Sequence, residues 1–319
     1  MKSIDFIILC YNEDENIIEL TNDIFENFKN VTGLDINIIW IDNGSTDNSL
    51  NIIKKLSRDD QRIKCISLSR NFGQQPALHA GLIESTSDYT CIMDGDQQDP
   101  PKDALNMYNL ILKENKDVVY AVRDRRNENF FKIKSYKIFY RIWSAFADID
   151  VKIDSGEFSI FSSQVRGAIL QSKEFHRFNR GLRSWAGFSQ EPYYHFRPKR
   201  KLGDQKINFY NATKLAVDAI LSFSLKPIRF VFFAGLTLSF FSLIFILIKI
   251  LNIFSTEDYI IPFFSNISNY LDGSNLIFLF TQGIIFMFLG IIGEYVGRIY
   301  EQVKNRPNFI IKERINLSK

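Results

Sequence analysis

Five short apolar runs, at 4–10, 36–42, 63–69, 89–95 and 117–122, recur along the first part of the chain. Each has the length of one strand and is mostly apolar, which is typical of strands that helices cover on both faces. The segments between them have helical length and spacing, and they cover 13–29, 46–58, 73–86 and 102–115. This alternation predicts an α/β fold with a doubly wound, mostly parallel sheet.

Polar residues cluster where the predicted strands end. The clusters are YNEDE (Tyr11–Glu15), DNGSTD (Asp42–Asp47), RNFGQQ (Arg70–Gln75) and DGDQQD (Asp94–Asp99). In doubly wound sheets, ligands bind at the carboxyl ends of the strands. No Gly-x-Gly-x-x-Gly follows the first strand and no Walker-type loop is present, so acids and amides would have to hold any nucleotide.

Asp94 and Asp96 alternate with Gly95 at the end of the fourth strand, so both carboxylates can face one point. Hard oxygen ligands that leave positions open for phosphate suit Mg²⁺ or Mn²⁺. A single Asp-x-Asp is more often a solvated turn. The three other polar strand ends beside it favour the metal site here.

Net charge and cysteine content limit which partners the protein can bind and which cellular compartment it can occupy. A net charge of +3 is too small to argue for nucleic acid as a partner. The three cysteines form no Cys-x-x-Cys pair and lie in or beside apolar runs. We expect them to be buried free thiols in a reducing compartment.

Two long apolar runs, Ile228–Ile248 and Leu276–Gly293, follow the α/β region. The first has about the length that crosses a bilayer core, and buried core helices are the alternative. Basic residues flank the outer ends of both runs, and the segment between them carries acids, which predicts that both chain ends are cytoplasmic. The predicted division is a cytoplasmic domain at 1–210, a juxtamembrane amphipathic helix at 211–227, transmembrane helices at 228–250 and 275–297, an extracytoplasmic loop at 251–274 and a cytoplasmic tail at 298–319.

The segments YNEDENI, IDNGSTDNS, LSRNFGQQPALHAG and IMDGDQQDPP, with SFSLKPIRF and GEYVGRIYEQVKNRP further on, resemble the polyprenyl-phosphate glycosyltransferases. These are family 2 glycosyltransferases of the GT-A fold, such as bactoprenol glucosyltransferases and dolichol-phosphate mannose synthase. The resemblance covers nearly the whole chain. It implies inverting transfer of one sugar from a nucleotide sugar to polyprenyl phosphate, at the cytoplasmic face of the inner (plasma) membrane, for modification of a cell-envelope glycan.

The resemblance also implies substrates and partners. We expect UDP-glucose as the donor, undecaprenyl phosphate as the acceptor, Mg²⁺ or Mn²⁺ as the cofactor and the lipid bilayer as a partner. Homo-oligomerisation stays open.

The same resemblance assigns roles to residues at matching positions. Residues implied to bind the nucleotide sugar are Tyr11, Asn12, Glu13, Asp42, Ser45, Arg70, Asp94 and Gln98. Residues implied at the metal are Asp94, Asp96 and Gln98. Residues expected to act in transfer are Asp96, Arg123, Glu157, Arg200 and Lys206. Arg123 is a candidate because it ends the fifth strand and arginine suits phosphate, and Arg200 and Lys206 lie in a loop that matches the family's Arg-x-x-Gly-x-x-Lys.

Three departures from the family pattern bear on these roles. Gly95 and Gln97 replace Ala and Leu in the Asp-Ala-Asp-Leu-Gln-Asp tract, and we expect both to point away from the metal. Asn43 stands where many relatives have Asp, which would leave base recognition to Asp42. In SGEFSIFS, Glu157 and Ser159 replace the Asp and Arg of Gly-Asp-Phe-Arg.

The acceptor chemistry limits what Glu157 has to do. A phosphate monoester is already anionic at neutral pH, so a strong base is optional. Cations that reduce repulsion between the two substrates matter more, and arginine suits phosphate. Arg177 and Arg180 match a family stretch, and surface charges are the alternative.

Other predictions stay open from the sequence alone. The segment 130–147 combines basic and aromatic residues at helical spacing, which indicates a helix on an anionic membrane surface or one packed on the core. A processive polysaccharide synthase would need a Gln-x-x-Arg-Trp motif, and GLRSWAG (Gly181–Gly187) is not that motif. A non-catalytic membrane scaffold is the alternative from another class.

Overall fold

The computed structural model describes residues 1–123, 155–196 and 274–317, together with 226, 233–235, 237 and 240. The chain divides into two compact units. One unit comprises Met1–Phe223 and Asn305–Lys319, and the other comprises Ser224–Lys304.

An eight-stranded sheet forms the centre of the first unit, counted over the described residues. Its strands are β1 (Lys2–Cys10), β2 (Leu34–Asp42), β3 (Ile63–Leu68), β4 (Tyr89–Asp94), β5 (Val118–Arg123), β6 (Ser155–Ser162), β7 (Gln190–His195) and β8 (Ile311–Ile315). Their spatial order is β7-β5-β6-β4-β1-β2-β3-β8. Strands β1, β2, β3 and β4 pair in parallel, as do β5 and β7, whereas β6 runs antiparallel to β4 and β5, and β8 to β3.

Helices connect the strands as the alternation predicts. They are α1 (Ile17–Phe28), α2 (Ser49–Asp59), α3 (Gln74–Glu84), α4 (Pro101–Lys113), α5 (Ser163–Gln171) and α6 (Asn179–Trp185). Helix α4 begins at Pro101, where the missing amide hydrogen and fixed φ of proline suit the first turn. The predicted α/β sheet, its first five strands and its first four helices are confirmed.

Apolar side chains cover both faces of the sheet, which makes it doubly wound. Phe6 and Trp40 on one face belong to a buried cluster with Met107 of α4. Ile7, the next residue along β1, belongs to a second cluster with Leu78 of α3. Successive strand residues point to opposite faces, so the near-continuous apolar runs follow from burial on both sides.

The cysteines Cys10, Cys65 and Cys91 are buried and free, as predicted. Burial raises the pKa of Cys10 to about 12, with Asp42 and Glu13 adding to the shift. These thiols are therefore packing residues and not nucleophiles.

Strand β8 was missed from the sequence, because the segment 298–319 was interpreted as a tail. The structure pairs Ile311–Ile315 with β3 at the edge of the sheet. Lys54 of α2 forms an ion pair with Glu313, and Arg314 forms one with Glu84 of α3 at 2.8 Å. The C-terminal segment therefore belongs to the same unit as the N-terminal strands.

The described residues of the second unit include one long helix, α7 (Ser274–Val303). In the part of the chain that the structure describes, no helix is long and apolar enough to cross a membrane. The two predicted transmembrane helices therefore have no support from these residues. Several predicted segments lie outside the described residues. These are the basic aromatic segment 130–147, the helix at 211–227 apart from Lys226, most of 228–250, and the loop 251–274 apart from its last residue.

Candidate active site

The loop that follows β4 carries the predicted metal ligands and is fixed by hydrogen bonds at short range. The amide of Asp94 donates to the carboxylate of Asp99 at 3.2 Å, and the amide of Gln98 donates to Asp96 Oδ1 at 3.1 Å. A Cβ on Gly95 would lie 2.5 Å from the carbonyl oxygen of Leu9, which real Cβ atoms do not approach. Glycine at this position therefore lets the loop lie against β1.

The donor set of this loop fits a hard divalent cation. Asp94, Asp96 and Gln98 are half-buried, and their side chains offer two carboxylates and one amide oxygen. No group of three or more His, Cys, Asp or Glu side chains that could hold a metal occurs among the described residues. Two carboxylates are nevertheless what Mg²⁺ commonly takes from a protein when substrate phosphates complete its shell.

The loops after β1 and β2 hold each other by side-chain bonds to backbone. The amide of Asn12, whose φ is +55°, donates to Ser45 Oγ at 3.1 Å. The amide of Thr46 donates back to Asn12 Oδ1 at 2.8 Å, and the amide of Glu13 donates to Ser49 Oγ at 2.9 Å. The structure therefore brings Asn12, Glu13 and Ser45 together beside half-buried Tyr11, and their contact with a nucleotide stays a prediction.

Asp47 accepts hydrogen bonds from the amides of Ser49 at 3.0 Å and Asp14 at 3.3 Å. Burial opposes ionisation of this carboxyl, but these hydrogen bonds outweigh it and lower its pKa. Asp47 thus provides an acceptor for the amide of Ser49, the first residue of α2.

Asp42 is buried, and both of its carboxylate oxygens shape the loop. The amide of Ser45 donates to Oδ1 at 3.0 Å, and the hydroxyl of Ser67 donates to Oδ2 at 3.0 Å. Asn43 reaches the next loop, where its Oδ1 accepts from the amide of Phe72 at 3.0 Å. The contact of Asp42 with a base stays a prediction.

The β3–α3 loop contributes Arg70, which is exposed and stacks over Phe72 with 4.0 Å between its guanidinium carbon and the ring centre. Gly44 has a φ of +72°, and a Cβ there would lie 2.5 Å from the backbone of Arg70. Glycine is therefore required where the loops after β2 and β3 meet.

Two consecutive glutamines at the start of α3 each hold one carboxylate. Gln74 Nε2 donates to Asp94 Oδ1 at 3.2 Å, and Gln75 Nε2 donates to Glu157 Oε1 at 2.9 Å. Gln75 Oε1 also accepts from the amide of Asn179 at 2.8 Å. Helix α3 thus links the predicted metal ligand on β4, Glu157 on β6 and the start of α6.

Two arginines of α6 approach Glu157. Arg180 Nε lies 3.4 Å from Glu157 Oε1. The guanidinium of Arg183 is buried, and its carbon lies 5.3 Å from the centre of the Tyr120 ring. Burial lowers the pKa of Arg183 to about 10, and Glu157 opposes this shift, so the side chain is cationic at neutral pH.

Several residues with a place in this site were missed from the sequence. Gln74 and Gln75 lie in the polar run after β3 but received no role, and Arg183 and Asn179 carried no local signal. Arg177 has a structural role, because its guanidinium donates to the carbonyls of Ser172 and Ile169 at the end of α5, at 2.6 and 2.9 Å.

The remaining predicted residues are placed only in part. Arg123 ends β5 opposite His195 of β7, but its side chain lies outside the described part of the chain. Arg200 and Lys206 also lie outside the described residues. A groove of about 700 Å³ near Phe25 and Arg62 lies at the amino ends of β2 and β3, which is the opposite edge of the sheet.

Comparison with known proteins assigns a family and relatives. The family described as Glycosyl transferase family 2 matches residues 5–172. The glycosyltransferase YkcC of Bacillus subtilis is 35% identical over 308 residues, which are 96% of this chain and 92% of that protein. The bactoprenol glucosyl transferase of Shigella phage SfII is 31% identical over 314 residues, or 97% of each chain.

Among solved structures, glucosyl-3-phosphoglycerate synthase from Mycobacterium tuberculosis, in complex with Mn²⁺, UDP and glucosyl-3-phosphoglycerate, is 15% identical. The alignment covers 69% of this chain and 78% of that one, with a TM-score of 0.45. A likeness this distant carries no argument about ligands of this chain.

Proposed function

The chain belongs to glycosyl transferase family 2, and from this premise we propose that it transfers one sugar from a nucleotide sugar to polyprenyl phosphate, with inversion at the anomeric carbon. The family makes it a glycosyltransferase that draws on a nucleotide-sugar donor. The acceptor, the stereochemistry and the location are the proposal.

The observation that carries the proposal is the loop Asp94–Asp99 at the carboxyl end of β4. It presents two aspartates and a glutamine between the loops after β1 and β2 and the Glu157 side chain of β6. With the diphosphate at this loop, the nucleotide could lie beside the loops after β1 and β2, and the acceptor beside Glu157.

Asp94, Asp96 and Gln98 would hold the Mg²⁺ or Mn²⁺ expected from the donor set. When bound, such a cation neutralises charge on the leaving diphosphate. The protein's own part is to hold these side chains still: Gln74 donates to Asp94, and the amide of Gln98 donates to Asp96. Preorganised groups of this kind need little rearrangement during the reaction.

The transfer step needs no proton acceptor of high basicity. An oxygen of the acceptor phosphate attacks the anomeric carbon, the bond from that carbon to the diphosphate oxygen breaks, and its electron pair leaves with the nucleoside diphosphate. Both the nucleophile and the leaving group are anions. Fixed arginines that reduce their repulsion therefore contribute more than a base.

A polyprenyl phosphate acceptor is supported by the relatives of this chain. The similar proteins include one named bactoprenol glucosyl transferase, and the alignment with it spans 97% of both chains. We propose that the acceptor of this chain is undecaprenyl phosphate and that its donor is UDP-glucose.

We also propose that the enzyme acts at the cytoplasmic face of the cell membrane. The apolar runs at 228–250 and 275–297 and a water-insoluble acceptor support this location. Large apolar side chains of α7 are exposed, among them Phe286 at 69% and Val303 at 75%. Because β8 pairs with β3, both ends of the chain would lie on the same side of a bilayer.

The test is a panel of labelled nucleotide sugars given to the full-length protein with undecaprenyl phosphate and Mn²⁺. We expect label from one donor to enter the lipid extract as a single-sugar product. Label in a growing polymer would favour a processive synthase, and no label from any donor would contradict the proposal.

A further inference from the structure

Four side chains and one backbone amide from three elements converge beside the predicted metal ligands. This Glu157 cluster consists of Gln75 of α3, Glu157 of β6 and Asn179, Arg180 and Arg183 of α6. It carries one acid and two arginines, so its formal charge is +1. A partly buried cluster with an excess cation is suited to an anion from solution.

The strand register places the cluster next to Asp94. Strands β4 and β6 pair antiparallel up to Ile92 opposite Ser159. Residues two positions apart share a face of the sheet, so the next positions on that face are Asp94 and Glu157. The cluster therefore borders the loop that would hold the donor diphosphate, on the side away from β1.

Glu157 is engaged as an acceptor in this arrangement. Its Oε1 accepts from Gln75 at 2.9 Å and lies 3.4 Å from Arg180 Nε, and its side chain is only 9% exposed. The Glu157 carboxylate is therefore a counter-ion that orients the Gln75 amide and the Arg180 guanidinium. Arg180 is 25% exposed, so part of its guanidinium can meet a ligand.

Arg183 brings a cation beside Tyr120, the residue that pairs with Ser159. Ser159 is fully buried and pairs with Tyr120 of β5, and the Arg183 guanidinium lies beside the Tyr120 ring. Helix α6 thus delivers a cation to the same face of the sheet. The charges of Arg183 and Arg180 both act on Glu157 in this cluster.

Asn179 gives an independent sign of a ligand. The residue is 3% exposed, and neither Oδ1 nor Nδ2 of its side chain has a hydrogen-bond partner among the described residues. The Nε of Arg183 is also buried without a partner in this region. Such groups are uncommon in folded proteins unless a ligand or an ordered water completes them.

We propose that Arg180 contacts the phosphate of the acceptor, and that Glu157 is a positioning residue that orients Arg180 and is not a general base. This inference rests on the proposed function, because it names the acceptor side of the same site.

The first experiment measures steady-state transfer with farnesyl phosphate as a dispersible acceptor. Arg180→Ala should raise the acceptor KM by roughly 10- to 100-fold, the size of a lost charge-assisted hydrogen bond, and leave the donor KM within about 3-fold. Arg180→Lys should restore part of the loss. An unchanged acceptor KM, or equal changes in both KM values, would overturn the assignment.

The second experiment separates positioning from base catalysis at Glu157. Glu157→Gln keeps an oxygen that can accept from Gln75 and Arg180 but removes the counter-ion, so it should raise the acceptor KM less than Glu157→Ala does and leave the shape of the pH profile of kcat unchanged. Glu157→Ala should raise the acceptor KM as Arg180→Ala does. Loss of kcat in Glu157→Gln with an unchanged acceptor KM would identify a base.

Arg62→Ala is the matched control, because Arg62 also pairs with an acid, Asp60 at 2.6 Å, but at the opposite edge of the sheet. It should leave both KM values unchanged.

Calorimetric binding of farnesyl phosphate distinguishes this inference from the proposed function. Weaker binding in Arg180→Ala supports the inference even if the wild type transfers no sugar. Equal binding by wild type and Arg180→Ala refutes it even if transfer occurs.

Discussion

Gln75 connects Glu157 to helix α6, and replacing it with leucine tests whether this connection holds the acceptor side together. The substitution keeps the approximate size of the side chain and removes two hydrogen bonds. These are the 2.9 Å bond to Glu157 Oε1 and the 2.8 Å bond from the amide of Asn179. Gln74→Leu is the matched control, because the exposed side chain of Gln74 makes one hydrogen bond to the described part of the chain, to Asp94 at 3.2 Å.

The expected loss for Gln75→Leu follows from those two bonds. A backbone N–H left without an acceptor costs about 1–3 kcal/mol, and a hydrogen bond to a charged group contributes about 1.5–3 kcal/mol. Since Gln75 is only half-buried, we expect a total of about 2–4 kcal/mol in the free energy of unfolding. Gln74→Leu should cost less than about 1 kcal/mol.

Thermal unfolding of the full-length variants, followed by circular dichroism, measures the difference. For a unit of this size, Gln75→Leu should lower Tm by roughly 5–15 °C and Gln74→Leu by no more than about 4 °C. Kinetics adds a second readout: Gln75→Leu should raise the acceptor KM, and Gln74→Leu should raise the Mn²⁺ concentration needed for half-maximal rate. Equal losses of stability in the two variants would refute this account of Gln75.

Three further substitutions test the scaffold. Asp5→Asn should lower the free energy of unfolding in urea by about 3–5 kcal/mol, because this fully buried carboxylate accepts five hydrogen bonds. The control Asp35→Asn, at an exposed position, should change it by less than about 0.5 kcal/mol, and similar values for the two variants would contradict the role of Asp5. Gly44→Ala should cost about 2–4 kcal/mol from its φ of +72° and its contact with the Arg70 backbone, and a neutral effect in the same assay would exclude that contact. Burial lowers the pKa of His79 from 6.5 to about 4, so between these pH values the unfolded state binds the proton and the folded state does not. The stability that is present above pH 6.5 should therefore be lost as pH falls towards 4. His79→Gln should reduce this dependence of stability on pH, and an unchanged dependence would contradict the role of His79.

The sequence predicted the parallel part of the fold because local patterns encode it. The first five strands and four helices follow from apolar runs and their spacing, and the strand ends identified Asp94, Asp96 and Asn12 as neighbours at one edge. Asp99, at the end of the same polar run, accepts from the amide of Asp94.

The Glu157 cluster depends on pairings that no local pattern encodes. The bond from Gln75 to Glu157 joins residues 82 positions apart, and the bond from Asn179 to Gln75 joins residues 104 apart. Strand β8 is a similar case, since its pairing with β3 is antiparallel and comes from the far end of the chain. Arg177 shows the same limit, because a capping arginine and a ligand-binding arginine look alike in sequence.

The measurement that tests the central claim most directly compares wild type with Asp96→Ala in transfer of labelled sugar to undecaprenyl phosphate, each with Mn²⁺ and with a chelator. The account predicts a lipid-linked sugar from the wild type only when the metal is present. It predicts none from Asp96→Ala, whose Tm should match that of the wild type. Near-normal turnover by Asp96→Ala, or transfer that the chelator leaves unchanged, would contradict the account.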